Sequence, residues 1–316
     1  MTLFEYNSAE AVSVHPDPYP LVAIMGPTGA GKSELALALA ALFRGEIVNC
    51  DSVQVYRGLD IGSAKTPEAQ RLGIPHHLLD VTPPNGELTA GSYVRLAVDV
   101  LAAIRTRGTL PIVAGGTGFY LRALIHGLSP APPRNEALRA RLTELARRRP
   151  LALARFLRRR DAAAASRIHA NDHQKLMRAI ELAGHASNPR QALAGVRVLK
   201  IGLNPERALL NQKLNNRSRW MFENGLLAET RALLQAGVSP SAKALATIGY
   251  RQAVSVLNGG VAQAEAIADC QLRTRRYAKR QLTWFRAEPD VHWLSGFGGD
   301  PAVRQDACAL VRAFLG

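Results

Sequence analysis

Eight consecutive residues, Gly26-Pro27-Thr28-Gly29-Ala30-Gly31-Lys32-Ser33, carry the plainest chemistry in this chain of 316 residues. Their spacing, GxxxxGKS, is that of a loop that cradles phosphate groups. Glycines let the backbone turn so that successive N–H groups point into one hollow, and a helix start adds partial positive charge there. Lys32 brings a mobile cation to the outer phosphates, and the Ser33 hydroxyl is suited to hold Mg2+. The loop specifies a diphosphate or triphosphate. It does not specify the molecule that carries it.

Two other stretches are aimed at the same place. Gly45-Glu46-Ile47-Val48-Asn49-Cys50-Asp51 reads as a short strand with a carboxylate at its end. Ligands of open α/β sheets sit at the carboxyl ends of the strands, so Asp51 points toward the phosphate loop. Leu110-Pro111-Ile112-Val113-Ala114 reads as a buried strand that ends in Gly115-Gly116-Thr117-Gly118. A nucleotide hydrolase of this fold usually ends that kind of strand in Asp or Glu, to hold Mg2+ and order water. Glycines and a threonine there describe a site that grips a diphosphate without activating water against it.

The elements that must position these groups follow from the pattern. Leu21 to Met25 is a buried strand, and a helix starts near Glu34. Ser52 to Lys65 is a loop-like segment, Pro75 to Val81 a further strand, and Thr89 to Arg107 a helix with apolar residues at helical spacing. His76 and His77 read as a polar strand end; no third ligand suggests a metal. Val196 to Leu203 alternates like a returning strand. Asn204 as cap and Pro205 in the first turn open a helix that carries Lys213 and Arg217 on one face. The expected class is α/β, a P-loop NTPase-like parallel sheet core with a helical insertion domain. Residues 1–19 are expected to form a flexible tail, 20–130 with 196–316 the core, and 131–195 the insertion.

Charge separates the function classes further. Lys and Arg number 40 against 25 Asp and Glu, a net +15, which favours a polyanionic partner such as nucleic acid or an anionic membrane. The Ala/Arg-rich wording of the chain contributes to the excess. Between Arg134 and Arg178 stand 13 basic residues against Glu136, Glu144, Asp161 and Asp172, a local excess of nine in a helical stretch without evident i,i+4 acid partners. A later helix interleaves Arg273, Arg276, Lys279 and Arg280 with Tyr277, Gln281 and Trp284, a combination suited to phosphates plus unstacked bases. Phe285 reads as core. Cys50, Cys270 and Cys308 form no CxxC, consistent with a reducing cytosol. No apolar run approaches a membrane span and no signal pattern opens the chain.

Together these stretches resemble the tRNA dimethylallyltransferase family. The resemblance rests on the phosphate loop, Asp51-Ser52-x-Gln54-x-Tyr56-Arg57-Gly58-x-Asp60-Ile61-Gly62-Ser63-Ala64-Lys65 and Pro75-His76-His77-Leu78. It continues through Gly115-Gly116-Thr117-Gly118-x-Tyr120, His169-x-Asn171-Asp172, Gly249-Tyr250-Arg251 and Lys279-Arg280-Gln281-x-Thr283-Trp284-Phe285-Arg286. It covers residues 20 to 295, in the family's order. It implies transfer of a dimethylallyl group from its diphosphate to N6 of the adenosine immediately 3′ of the anticodon, in tRNAs reading codons that begin with U. It also implies Mg2+, a helical insertion gripping the anticodon stem-loop, and a cytoplasmic enzyme, expected to be a monomer.

By matching position, the resemblance implies a catalytic pair, Asp51 and Thr117, and a diphosphate site of Gly26 to Ser33 with Arg217. The backbone N–H groups from Thr28 to Ser33, with Lys32, Arg217 and Mg2+ on Ser33, suit a leaving diphosphate. Asp51 is the candidate acceptor of the amine proton. The implied tRNA contacts are Asp51, Ser52, Val53, Gln54, Thr117, Arg139, Gln174, Lys175, Leu176, Met177 and Arg178. They continue with Ala246, Thr247, Ile248, Gly249, Tyr250 and Arg251, and with Lys279, Arg280, Gln281, Leu282, Thr283, Trp284, Phe285 and Arg286. Ala170 stands where the family has proline. Lys175 stands where it has arginine, keeping the charge and losing the planar fork. Gly184 to Gly195 departs from the family's common wording. Three rival readings are a P-loop small-molecule kinase, an adenylate isopentenyltransferase acting on free nucleotide, and a noncatalytic RNA-binding protein with a relic loop. The glycine-ended strand and the basic helices count against the first. The second shares the loop and Asp51 but would not need the basic insertion or the basic aromatic helix. Intact Lys32, Ser33, Asp51 and Thr117 count against the third.

Overall fold

The computed structural model describes residues 18–128, 132, 135–183, 193 and 195–316. The tail before residue 18, Pro130 and Pro133 of the proline link, and most of the 184–195 segment lie outside the described residues. The chain divides into two compact units, one of residues up to 125 and from 192 onward, the other of residues 126–191.

The larger unit is built on a six-stranded, wholly parallel sheet. Its strands are β1 (Tyr19–Met25), β2 (Gly45–Asn49), β3 (His76–His77), β4 (Leu110–Ala114), β5 (Val196–Leu203) and β6 (Val291–Leu294), in the order β3-β2-β4-β1-β5-β6. Parallel strands covered on both faces need apolar side chains on both sides, and β1 and β4 supply them without alternation. α1 (Lys32–Phe43) and α12 (Pro301–Leu315) cover one face, where Leu35, Ala36 and Leu39 meet Val303, Ala307 and Val311. α2 (Ala90–Thr106) and α3 (Gly118–His126) cover the other, with Tyr93, Leu101, Ile104, Leu121 and Leu124 around Phe285. A third apolar cluster joins Val55, Tyr56 and Leu59 to α8 (Arg207–Glu223), α9 (Leu226–Gln235), α10 (Tyr250–Leu257) and α11 (Gln263–Arg286).

Four local expectations change. β1 begins at Tyr19, whose N–H bonds the Gly195 carbonyl, so the core starts one residue earlier than the expected tail end. β2 stops at Asn49, short of Asp51. β3 is only His76–His77, because Leu78 and Asp80 take left-handed backbone angles (φ 61° and 58°). The chain there leaves β2 and pairs instead with the 54–56 segment through Asp80 and Thr82. Finally, Asn204 does not cap α8: its N–H bonds Leu294, prolonging the β5–β6 pairing, and the Glu206 carboxylate accepts from the N–H groups of Ala208 and Leu209.

The smaller unit contains α4 (Glu136–Arg148), α5 (Ala152–Arg160), α6 (Ala162–Arg167) and α7 (His173–Leu182) around Leu142, Leu153, Leu157, Leu176, Met177 and Ile180. Asn135, Asp161 and Asp172 cap three of these helices through side-chain oxygens. Its basic residues have more partners than the sequence pattern indicates. Glu144 pairs with Arg147 and Arg148, Asp172 with Lys175, and the buried Glu181 with both Arg139 and Arg178. The unit's span, 126–191, opens earlier than the expected 131.

Candidate active site

The phosphate loop leaves the carboxyl end of β1, inside the sheet, and enters α1 through Gly31. Gly31 has φ 86°, and a Cβ there would stand 2.8 Å from the Gly298 nitrogen, so only glycine fits both the turn and the neighbour. That neighbour is part of a second brace: the Gly298 N–H donates to the Ala30 carbonyl at 2.8 Å. The hollow is narrower in donors than the motif implies. The Thr28 N–H donates to Gln281 Oε1 at 2.8 Å, and the Ala30 N–H to the Pro27 carbonyl at 3.2 Å. Gly29, Gly31, Lys32 and Ser33 keep backbone donors with no acceptor among the described residues.

Two cations serve this hollow. Lys32 Nζ donates to the Pro27 carbonyl at 2.9 Å, and burial pushes its pKa down to about 8, the Asp51 carboxylate opposing that push. Arg217, delivered by α8, donates from Nη2 to Thr28 Oγ1 at 2.8 Å, and burial lowers its pKa as well. Its buried Nε has no partner among the described residues. A guanidinium with an unused buried donor beside a phosphate loop is the arrangement an anionic ligand completes. Lys213, one turn before Arg217, lies over the Phe297 ring at 4.8 Å and lines the same cavity.

Asp51 stands on the other side. Asn49 fixes the turn after β2, accepting from the Asp51 N–H at 3.1 Å and donating to the carbonyls of Asp51 and Leu78. Asp51 Oδ1 accepts from the N–H groups of Val53 (2.8 Å) and Gln54 (3.4 Å). Oδ2 is left for the cavity. The Thr117 hydroxyl accepts from the Ser52 N–H at 2.8 Å and donates to Ser52 Oγ at 3.1 Å, so it holds the residue beside Asp51. A Cβ at Gly116 would overlap the Gln281 amide and stand 3.5 Å from Asp51 Oδ2. The glycine string after β4 is thus required by close packing. Asp51, Lys32, Ser33, Arg217 and Gly115 line one cavity of about 530 Å3.

The cavity wall at residues 60–65 is held from beneath. Buried Lys65 bonds Asp60, Asp80 and the Tyr56 carbonyl. Glu229 accepts from three successive N–H groups, Asp60, Ile61 and Gly62, and from the Tyr250 hydroxyl. Nothing in the sequence marks Glu229, an acid of an ordinary amphipathic helix about 170 residues from the loop it organises.

The implied RNA contacts separate by exposure. On α11, Arg276, Lys279, Arg280, Thr283 and Trp284 line a cavity of about 640 Å3, with Arg122 stacked over Trp284 at 4.8 Å. Leu282 and Arg286 line a neighbouring groove with Arg207 and Arg275. Ala246 and Arg251 are exposed, Thr247 and Ile248 half-buried. Gly249 donates to Gln252, closing the start of α10. Tyr250 and Phe285 are core residues, and Gln281 is 5% exposed. In the smaller unit Gln174 and Lys175 are exposed, whereas Leu176 and Met177 are core. Arg139 and Arg178 converge on Glu181. The buried side chains among these positions pack in the cores beneath the exposed ones.

The model of the IPP transferase family matches residues 54–288. A tRNA dimethylallyltransferase of Solibacter usitatus is 51% identical over 305 residues, 94% of this chain and 99% of its own. That of Koribacter versatilis is 49% identical over 301 residues, 92% of this chain and 98% of its own. Among solved structures, the full-length tRNA isopentenylpyrophosphate transferase of Bacillus halodurans gives a TM-score of 0.70 at 34% identity, covering 93% of this chain and 97% of its own. A eukaryotic dimethylallyltransferase acting on tRNA gives 0.74 at 27% identity, covering 93% and 77%.

Proposed function

The chain belongs to the IPP transferase family, and from that premise we propose that it moves a dimethylallyl group from dimethylallyl diphosphate to N6 of an adenosine in tRNA. The acceptor is the adenosine immediately 3′ of the anticodon, in tRNAs reading codons that begin with U. The products are N6-dimethylallyladenosine and diphosphate. It acts as a monomer in the cytoplasm; no helix among the described residues is long and apolar enough to cross a membrane.

The observation that carries this reading is the pairing of opposites in one cavity. Arg217 holds an unused buried donor at the phosphate loop, and Asp51 turns a free carboxylate oxygen into the same space. The backbone donors of Gly29, Gly31, Lys32 and Ser33, with Lys32 and Arg217, neutralise the diphosphate as the bond from its oxygen to the allyl carbon breaks. The N6 amine forms the new bond to that carbon. Its lone pair is delocalised into the ring, so the amine becomes acidic only as the bond forms, and Asp51 Oδ2 takes the proton. Thr117 holds Ser52, and through it the Asp51 turn, in place. Ser33 opens its hydroxyl to the cavity, and no cluster of His, Cys, Asp or Glu among the described residues offers a metal three ligands. Mg2+ would therefore be held by Ser33 and the diphosphate's own oxygens, where it supplies further neutralisation of the leaving group.

The adenine reaches the cavity by leaving its stack. Arg276, Lys279, Arg280 and Arg251 supply charge for the anticodon stem-loop backbone, Trp284 an aromatic face, and Gln174 and Lys175 of the smaller unit further contacts. The test is incubation with labelled dimethylallyl diphosphate and either an anticodon stem-loop or AMP. Label in the stem-loop is expected. Label in AMP alone, or phosphate transfer from ATP instead, overturns the reading.

A further inference from the structure

Gln281 sits on the helix whose neighbouring side chains face RNA in the reading above, yet it points inward. It is 5% exposed, between exposed Arg280 and Trp284. Both ends of its amide are engaged with backbone. Oε1 accepts from the Thr28 N–H at 2.8 Å, and Nε2 donates to the Gly116 carbonyl at 2.8 Å. The amide's orientation is forced, because an N–H requires the oxygen and a carbonyl requires the nitrogen. An amide is the side-chain group that offers a donor and an acceptor side by side without charge.

The two partners belong to the two halves of the site. Thr28 also receives Arg217 Nη2 on its hydroxyl at 2.8 Å. Gly116 precedes Thr117, which holds Ser52, and a Cβ at Gly116 would stand 3.5 Å from Asp51 Oδ2. A bonded line therefore runs from Arg217 through Thr28, Gln281 and Gly116 to the Asp51 turn. We propose that Gln281 is a positioning residue that fixes the distance between the cradle of the leaving diphosphate and the carboxylate that receives the amine proton. This rests on the activity proposed above. On this account Gln281 contributes to turnover and not to RNA affinity, although it lies inside the run of implied RNA contacts.

The test compares Gln281→Met, which keeps the length and loses both bonds, with Gln281→Glu, which keeps the acceptor for Thr28 and loses the donor to Gly116. Both are assayed at saturating dimethylallyl diphosphate, with tRNA affinity measured separately by direct binding. Gln281→Met is expected to lower kcat by about tenfold to a hundredfold, the size of effect a misplacement of about 1 Å produces, with the tRNA Kd within about twofold. Gln281→Glu is expected to lose as much at alkaline pH. Its kcat relative to wild type should recover as pH falls and the carboxyl regains a proton to donate, while the ratio for Gln281→Met stays flat. A folded Gln281→Met chain with wild-type kcat overturns the proposal. So does a rise in tRNA Kd that accounts for the whole loss in kcat/KM, which would make Gln281 an RNA contact. A wild-type chain that transfers nothing to tRNA in the same assay is a failure of the activity reading, and is visible as such before any variant is compared.

Discussion

Lys32 and Asp51 line one cavity, and the carboxylate partly offsets the burial that brings the lysine's pKa to about 8 from its ordinary 10.5. Lys32 is therefore charged below about pH 8 and neutral above it. A neutral lysine grips a diphosphate poorly, so KM for dimethylallyl diphosphate is expected to rise as pH passes upward through 8, approaching about tenfold per pH unit. Lys32→Arg, which stays charged, should flatten this limb. Initial rates on either side of pH 8, at saturating tRNA, check it; an unchanged KM removes the charge of Lys32 from donor binding.

The two roles proposed for Asp51, holding its own turn and taking a proton, are separated by one substitution. Asp51→Asn keeps an oxygen for the Val53 and Gln54 N–H groups and cannot take a proton. We expect kcat to fall by about 10²–10⁴-fold, the usual contribution of a positioned base. The tRNA Kd should stay within about threefold. Equal losses in turnover and in affinity would mean that Asp51 only binds.

Glu46 lies at the opposite end of β2 from Asp51. Arg107 donates to it from Nε (2.8 Å) and Nη2 (2.7 Å), and Thr109 and His77 bond it as well. These bonds, Arg107 foremost, draw its pKa down from 4.5 to about 2. A depressed carboxyl stabilises the fold fully above its ordinary pKa and loses that contribution as pH falls through the folded value. The acid limb of stability should therefore run from about pH 4.5 toward 2. Glu46→Gln should cost on the order of 2 kcal/mol at neutral pH, allowing for screening of the exposed Arg107, and flatten that limb. Denaturant midpoints across the range decide it; an acid limb unaltered in the variant would assign it to other groups.

Arg280 lines the basic cavity beside Trp284 and forms no ion pair in the described residues. Arg280→Ala is expected to weaken tRNA binding and reduce the salt slope, d log K/d log[salt], by about 0.7–0.9, the value of one phosphate contact. KM for dimethylallyl diphosphate should not move. Titrations at several salt concentrations give the slope, and one equal to wild type takes Arg280 off the RNA backbone.

The parts of the site that are local in the chain were legible in its sequence. The phosphate loop follows a strand and opens a helix, β4 and β5 end where their apolar runs end, and the helix expected from Thr89 to Arg107 is α2. What was not legible is what long-range partners decide. Gln281 alternates with arginines and an aromatic like a surface residue, and only its distant partners Thr28, 253 positions away, and Gly116 show which way it faces. Tyr250, Leu176 and Met177 lie in runs implied to touch RNA, but helical spacing turns them into two different cores. Glu229 has no signal at all, because a carboxylate that gathers three backbone N–H groups looks like any exposed helix acid until the loop arrives. β3 was overextended because an apolar run does not reveal that Leu78 and Asp80 bend out of the sheet.

The hydrogen bond from Gly298 to the Ala30 carbonyl has a consequence for how the protein is made. A ribosome releases the phosphate loop long before its brace, which lies beyond the stretch that matches the family. A nascent chain therefore exposes the glycine turn early and tightens it only when the residues before α12 have emerged. Removing α12 and the loop before it would slacken the phosphate loop from a distant part of the chain.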